Sequence, residues 1–363
     1  MGTLRLFLAF AVIISHTRPL YGFVGIGGSP AVMAFFIISG FYMHLVMDSA
    51  YKGKPGLFYT NRALRLFPAY WTTLLIMLLL AASGTTRFDG GYSRQTVHRI
   101  LDGSALAWLS FVPNLLIAGA DFFHELGVSP KTGELLIHTK NLTDSAAITG
   151  ADVYLFTPQI WSVANEIVFY ALVPFFVRLN QLFWSLLIVV AYVAWKISGR
   201  AYLTWLHLVP YYNLIFFLFG MAAYRVYPVI KTLPTAVLLV LSAIPFAYFL
   251  TNGALGVLTP PWVWIPFAAG VPALFEISKS NRYDRFIGDL SYPVYLVHFM
   301  FAQGGRGSRF VGAESLALAA GMQIFLERPI DRLRHGRTAK PILQRIAASS
   351  SSHAAAISGS APK

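Results

Sequence analysis

Residues 29–47 read SPAVMAFFIISGFYMHLVM, with no Lys, Arg, Asp or Glu in the run. A helix needs about 20 mostly apolar residues to cross a hydrocarbon layer, within a range of about 17–25. This run therefore reads as a membrane span, and it has company. Similar apolar segments lie at 4–20, 67–83, 160–178, 182–198, 207–225, 234–251, 261–277, 287–302 and 310–326. The expected architecture is an all-α, polytopic transmembrane helix bundle of about ten spans.

Composition agrees. Hydrophobic residues make up 56% of the 363 and charged residues only 12%, with a mean hydropathy of +0.60. A soluble domain carries roughly 25% charged residues. Apolar runs from end to end exceed what one aqueous core could absorb, so the lipid bilayer is the expected solvent and partner. There is no cysteine, which excludes disulfides, zinc–thiolate sites and a thiol nucleophile. The excess of 28 Lys+Arg over 15 Asp+Glu falls mostly between apolar runs. It reports membrane orientation rather than a nucleic-acid partner. Leu4 to Ile14 is apolar, but no small-residue cleavage pattern precedes Arg18-Pro19, so this run is expected to stay as the first span.

With the N-terminus inside, the inner loops carry Lys52, Lys54, Arg62, Arg65, Arg178, Arg225, Lys231, Lys279, Arg282 and Arg285. The short outer loops carry only Arg18, Lys196, Arg200, Arg306 and Arg309. Both termini are thus expected in the cytoplasm. Residues 1–335 form the expected membrane domain, 84–157 a long extracytoplasmic loop within it, and 336–363 a disordered cytoplasmic tail rich in Ser and Ala. Ala105 to Ala118, broken by Pro113, is too short to cross and either lies at the interface or re-enters. Tyr70-Trp71, Tyr154, Trp161, Trp205 and Tyr211-Tyr212 read as an interfacial anchoring belt.

Polar residues inside apolar runs carry most of the information, because a mid-membrane charge costs about 2.5–3.5 kcal/mol on insertion scales and needs a partner or water. Arg5 and His16 are eleven residues apart, about three turns, so they share one face of the first helix roughly 16 Å apart along its axis. Arg5 either holds an anionic cytosolic cofactor whose arm reaches His16, or is a topology charge beneath an interfacial histidine. Arg62 and Arg65, in a basic inner loop, could clamp phosphates from one helical face, or could simply be topology charges. Glu166 wants a cation or a histidine: it either supports a catalytic imidazole or pairs with Arg5 or Arg18. His298, deep in the ninth span, is expected to find a polar partner on another helix. The scattered His98, His124, His138, Glu125 and Glu134 show no metal-ligand spacing, so no metal is expected. Asn141-Leu142-Thr143 fits a glycosylation triplet.

Taken together, these segments resemble the acyltransferase-3 family of membrane acyltransferases. Arg5-x10-His16 looks like its first-helix signature, and Phe35-Phe36-Ile37-Ile38-Ser39-Gly40-Phe41 matches the segment on its second helix. Arg62-x-x-Arg65 with Phe67-Pro68-x-Tyr70-Trp71 follows, then Trp161-Ser162 with Glu166 and Tyr170. Ser291-Tyr292-x-x-Tyr295-x-x-His298 and Glu327-x-Pro329 complete the order. The resemblance implies an enzyme of the bacterial cytoplasmic membrane that moves an acyl group, commonly acetyl, from cytosolic acetyl-CoA or another acyl-CoA. The acceptor would be a sugar hydroxyl of a surface polysaccharide or a lipid-linked glycan. It further implies that Arg5, Arg62 and Arg65 bind the coenzyme, that His16 is the catalytic base or acyl carrier with Glu166 in support, and that Trp161, Ser162, Tyr292 and His298 face the substrate. Two departures stand out: Val32-Met33-Ala34 replace an acid that often precedes the Phe-Phe pair, and no acidic residue precedes Arg5. The rival class is a transporter or exporter of a glycan or small molecule, which should show paired halves. No repeat between the halves is visible.

Overall fold

In a computed structural model of the chain, residues 1–17, 26–129, 135–137, 149–198, 213–251, 261–303, 310–334 and 336 are described. The expected spans begin with α1 (Gly2–His16), α2 (Gly28–Ser49) and α3 (Pro55–Ser83). They continue after an intervening segment with α7 (Trp161–Phe176), α8 (Gln181–Ser198), α9 (Leu214–Ile230), α10 (Thr235–Thr251), α11 (Ile265–Ser278), α12 (Arg282–Ala302) and α13 (Val311–Met322). Each of the ten apolar segments is thus helical over most of its described residues. Among the described residues, α2, α3 and the stretch Pro158–Phe176 are long and apolar enough to cross a membrane by length and composition. The triplet at 141–143, His138, Glu134 and the tail from 337 onward lie outside the described residues.

The outer surface of the bundle is apolar. On α8, Leu182, Leu186, Val189, Val190 and Val193 are exposed at helical spacing, and on α3 Leu75, Leu78 and Leu79 are exposed together. Stripes of this kind would be aggregation sites in water and are what a lipid-facing helix requires.

Helices in lipid gain little from burying apolar side chains against each other, so close packing depends on small residues at the contact. Glycine supplies it at two crossings. A Cβ on Gly40 of α2 would lie 2.0 Å from the Phe217 carbonyl oxygen of α9, and one on Gly220 of α9 would lie 1.9 Å from the Ile37 carbonyl oxygen of α2. Between α1 and α12, a Cβ on Gly2 would meet the Asp284 carbonyl oxygen at 1.6 Å. Asp284, just before the apolar run of α12, ties this crossing. It accepts hydrogen bonds from the N–H groups of Gly2 and Thr3 (2.8 and 2.9 Å), the Thr3 hydroxyl (2.8 Å) and the Met1 amine (2.9 Å).

One expectation needs correction. The basic inner loop at 58–68 is not a loop: it is the first half of α3, which Pro55 starts as a first-turn proline and which runs on through Pro68. The Pro68 carbonyl is bonded by the Thr72 hydroxyl (2.9 Å). Tyr70, buried, and Trp71, half exposed, lie within the same helix.

Residues 84–157 hold α4 (Tyr92–Leu101), α5 (Ala105–Leu116), α6 (Ala120–Glu125) and a small antiparallel sheet of β1 (Leu126–Val128), β2 (Leu135–Ile137) and β3 (Thr149–Gly150), in the order β2-β1-β3. This sheet is the one addition to an otherwise all-α architecture among the described residues. α5 descends beside α3. The Tyr70 hydroxyl donates to the Asn114 carbonyl (2.7 Å) and Trp71 Nε1 to the Leu115 carbonyl (2.8 Å), roughly 20 Å down α3 from Ser83 at about 1.5 Å per residue. Pro113 lies within α5, one turn from its end, and Asn114 ties that end down by donating to the Tyr154 carbonyl (2.9 Å) and accepting from the Phe156 N–H (3.0 Å).

Gly40→Ala is expected to destabilise the bundle by about 2 kcal/mol or more through overpacking, seen as a lower Tm in detergent. Gly56→Ala, where nothing lies within 4 Å of the new Cβ, should leave Tm unchanged. Burial resists ionisation of Asp284, but the donors from Thr3 and Gly2 outweigh it and hold its pKa at about 2. The stability advantage of the native chain over Asp284→Asn should be complete above about pH 4, the unfolded carboxylate range, and vanish as pH falls through about 2. Tm measured against pH for both proteins checks this.

Candidate active site

One cavity of about 270 Å³ runs inside the bundle between α1, α2, α3, α7 and α12. α2 builds its long wall. Val32, Phe35, Phe36, Ser39, Tyr42, Met43 and Val46 recur at three- and four-residue steps, so they share one face and span about 21 Å of axis. The neighbouring stripe of Ile37, Gly40, Phe41 and His44 turns to α9, where His44 Nδ1 meets the Met221 carbonyl at 3.1 Å.

Cations crowd one end. Arg5 from α1, Arg62 and Arg65 from α3, and Arg334 beyond α13 all line the cavity, with Asp289 from α12 among them. Their partners differ. Arg65 Nη1 lies 3.5 Å from Asp289 Oδ1 and 3.9 Å from Glu327 Oε2, the latter carboxylate being only 6% exposed. Arg334 pairs with Asp331 one turn away. Arg62 instead contacts Met43 Sδ (3.9 Å) and the rings of Phe58 (5.9 Å) and Tyr170 (6.0 Å). Neither Arg5 nor Arg62 has a carboxylate within 4.0 Å among the described residues. Half-buried guanidinium groups without a close carboxylate have the chemistry to accept an anion, and their planar forks suit phosphate.

Glu166 lies farther along the wall. Of its expected partners, Arg18 lies outside the described residues, and neither Arg5 nor a described imidazole is hydrogen-bonded to it. Its Oε1 accepts from the Ser39 hydroxyl (2.6 Å) and the Tyr170 hydroxyl (2.5 Å), and no described cation lies within 4.0 Å. A carboxylate sharing one oxygen between two hydroxyls is satisfied by hydrogen bonding rather than by a cation.

Tyr295 and Ser162 also line the cavity. The Tyr295 hydroxyl donates to the Gln159 carbonyl (2.7 Å) and shares a 2.7 Å hydrogen bond with Ser162 Oγ. Behind Tyr295 stands His298, fully buried, with ring centroids 5.6 Å apart. His298 Nδ1 bonds the Tyr295 carbonyl of its own helix (2.6 Å), not a group on another helix, and Nε2 has no hydrogen-bond partner among the described residues. His16, the last residue of α1, stands next: its ring lies 5.4 Å from that of His298 and 6.1 Å from that of Phe299.

Of the residues singled out by sequence, Arg5, Arg62, Arg65, Ser162, Glu166 and Tyr292 line the cavity, while His16, His298 and Trp161 do not. Tyr292 also ties α12 to α3 through the Leu66 carbonyl (3.0 Å). Ser39, Tyr170 and Tyr295 sit within the quoted motifs but had been given no role. Asp289 and Arg334 carry no motif of their own: Asp289 sits at the edge of the 287–302 run and Arg334 beyond the last one.

A bundle with guanidinium groups around an internal cavity and leucines on its outer surface is that of an integral membrane protein. The chain belongs to the acyltransferase-3 family: a family model described as an acyltransferase domain matches residues 2–307, nearly the whole chain. It is therefore a membrane acyltransferase. Neither a curated protein nor a solved structure matches it significantly.

Arg62→Ala should cost about 1.5–3 kcal/mol of anion binding, raising the KM for the acyl donor roughly 10- to 100-fold with a near-native Tm. Arg65→Ala should instead destabilise by about 3 kcal/mol or more, since it strands the buried Glu327 carboxylate. Donor kinetics and thermal unfolding of both variants separate the two roles.

Proposed function

We propose that the protein is an O-acyltransferase, in its simplest form an O-acetyltransferase, which takes the acyl group from cytosolic acyl-CoA. The acceptor is a sugar hydroxyl of a surface polysaccharide or lipid-linked glycan, presented on the other face of the bacterial cytoplasmic membrane. On this reading ten spans place both termini in the cytoplasm and residues 84–157 outside. The observation that carries it is the pair of counter-charge-free guanidinium groups, Arg5 and Arg62, at one end of a cavity that extends along α2 toward two histidines.

Arg5 and Arg62 hold the coenzyme phosphates, while Arg65, already committed to Asp289 and Glu327, holds the inner end of α3 in place. The thin arm of the coenzyme lies along the α2 stripe past Ser39 and Glu166. At the far end His16 accepts the proton of the sugar hydroxyl. The hydroxyl oxygen then adds to the thioester carbonyl, the carbon–sulfur bond breaks, and the departing thiolate takes a proton to leave as free coenzyme thiol. An imidazole suits the first role because its ordinary pKa of about 6.5 lies near neutrality. His298, packed against His16, orients that ring.

Membranes containing the protein, incubated with labelled acetyl-CoA and acceptor glycan, should move label into glycan. His16→Ala should lower the rate by a factor of about 10²–10⁴, the usual contribution of a general base, with unchanged membrane insertion. Full activity in that variant would remove His16 from the mechanism, and substrate movement without covalent label would favour an exporter instead.

A further inference from the structure

Two polar compartments meet at a single side chain. On one side lies the cavity, with its arginines, Glu166 and Ser162. On the other lie His298 and His16, neither of which touches that cavity. Tyr295 belongs to both: its ring lines the cavity and stands 5.6 Å from the ring of His298. For an acyl group on an arm in the cavity to meet a hydroxyl at His16, this ring must be out of the way.

We propose that Tyr295 is the gate between the donor cavity and the acceptor side, latched shut by Ser162 and Gln159 and opened when its hydroxyl lets go of them. The inference rests on the reading above, which puts donor and acceptor on opposite faces.

The latch is local and reversible in kind. The phenol donates to the Gln159 carbonyl (2.7 Å) and so accepts from the Ser162 hydroxyl (2.7 Å), both in the first turns around the start of α7. Ser162 has an alternative acceptor at hand, because its Oγ also lies 3.4 Å from the Gln159 carbonyl. Releasing the phenol therefore does not leave the serine stranded. The backbone beneath stays fixed: Gln159 Nε2 donates to the Leu296 carbonyl (2.8 Å) and binds the start of α7 to α12 whether or not the ring swings. Such a seal gives a transmembrane transferase what it needs. It keeps water and the acceptor from the thioester until the coenzyme is seated, and it closes a leak path across the bundle.

Because the chain has no cysteine, one introduced thiol reports the passage without further changes. Val163 lines the cavity beside Ser162 and is 3% exposed, and Val163→Cys is close in volume and loses no hydrogen bond. The full chain carrying Val163→Cys is treated with a membrane-impermeant maleimide in inverted and in right-side-out vesicles. With Tyr295 in place, labelling is expected from the cytosolic face only. Adding Tyr295→Phe, which keeps the ring and loses two hydrogen bonds, should raise labelling from the other face about tenfold. Tyr295→Ala should raise it further, and both should leave the cytosolic-face rate unchanged. Equal labelling from the two faces with Tyr295 present overturns the gate, as does an outer-face rate that Tyr295→Phe does not raise. Should Tyr295→Ala lose cytosolic-face labelling, and with it the fold, the Phe variant alone decides. The assay involves no acyl transfer, so its failure leaves the transferase reading standing, while failure of glycan labelling leaves the gate result legible.

Discussion

Charge in a medium that solvates it poorly governs this molecule. A guanidinium held in an apolar bundle needs a counter-ion, water or a π-face, and the described structure distributes its arginines among these options unequally. Arg65 and Arg334 have carboxylates close by, while Arg62 leans on the rings of Phe58 and Tyr170 and Arg5 has no acid within ion-pair distance. Unmatched positive charge at one end of a cavity is costly for an empty protein. The same charge becomes favourable once an anion arrives, which is why the arrangement reads as a binding site and not as a packing accident.

Keeping such a cavity open demands rigidity elsewhere, and α2 shows how it is achieved. One stripe faces the cavity while the adjacent stripe carries Gly40 into backbone contact with α9, whose own Gly220 returns the approach. Behind the cavity wall, Phe36 stacks on Phe217 at 4.4 Å and Phe217 on Phe169 at 4.2 Å, locking α2, α9 and α7 together. A helix held this closely on one side can afford an unfilled face on the other. The C-terminal end of α5 follows a related rule: its last carbonyls have no helical partner, and Tyr70 and Trp71 of α3 donate to them instead.

Family membership and cavity geometry constrain each other. The match over residues 2–307 makes the chain an acyltransferase, and among the arginines of the cavity Arg65 and Arg334 are the ones paired with carboxylates. The two histidines stand outside the lining of that cavity, in ring contact with each other, and His298 lies beside Tyr295, which does line it. A route from donor to acceptor through this molecule therefore depends on how Tyr295 is held.

Much of this was readable in one dimension. Apolar runs of span length marked the helices because lipid tolerates little else, and charged residues inside those runs pointed to Arg5 and Glu166 because each carries a desolvation cost visible without coordinates. Spacing put Arg62 beside Arg65 on one helix face. Spacing could not tell them apart, since the acids that claim Arg65 sit 224 and 262 positions away in the chain. For the same reason the hydroxyl that bonds Glu166 was not legible: Ser39, among bulky apolar neighbours, lies on a different helix, and only the packing of α2 against α7 brings it within 2.6 Å. Local order reflects interactions between near neighbours, which the sequence records directly. Which charge stays free, and what stands between the cavity and His16, depends on contacts among distant segments that only the assembled bundle defines.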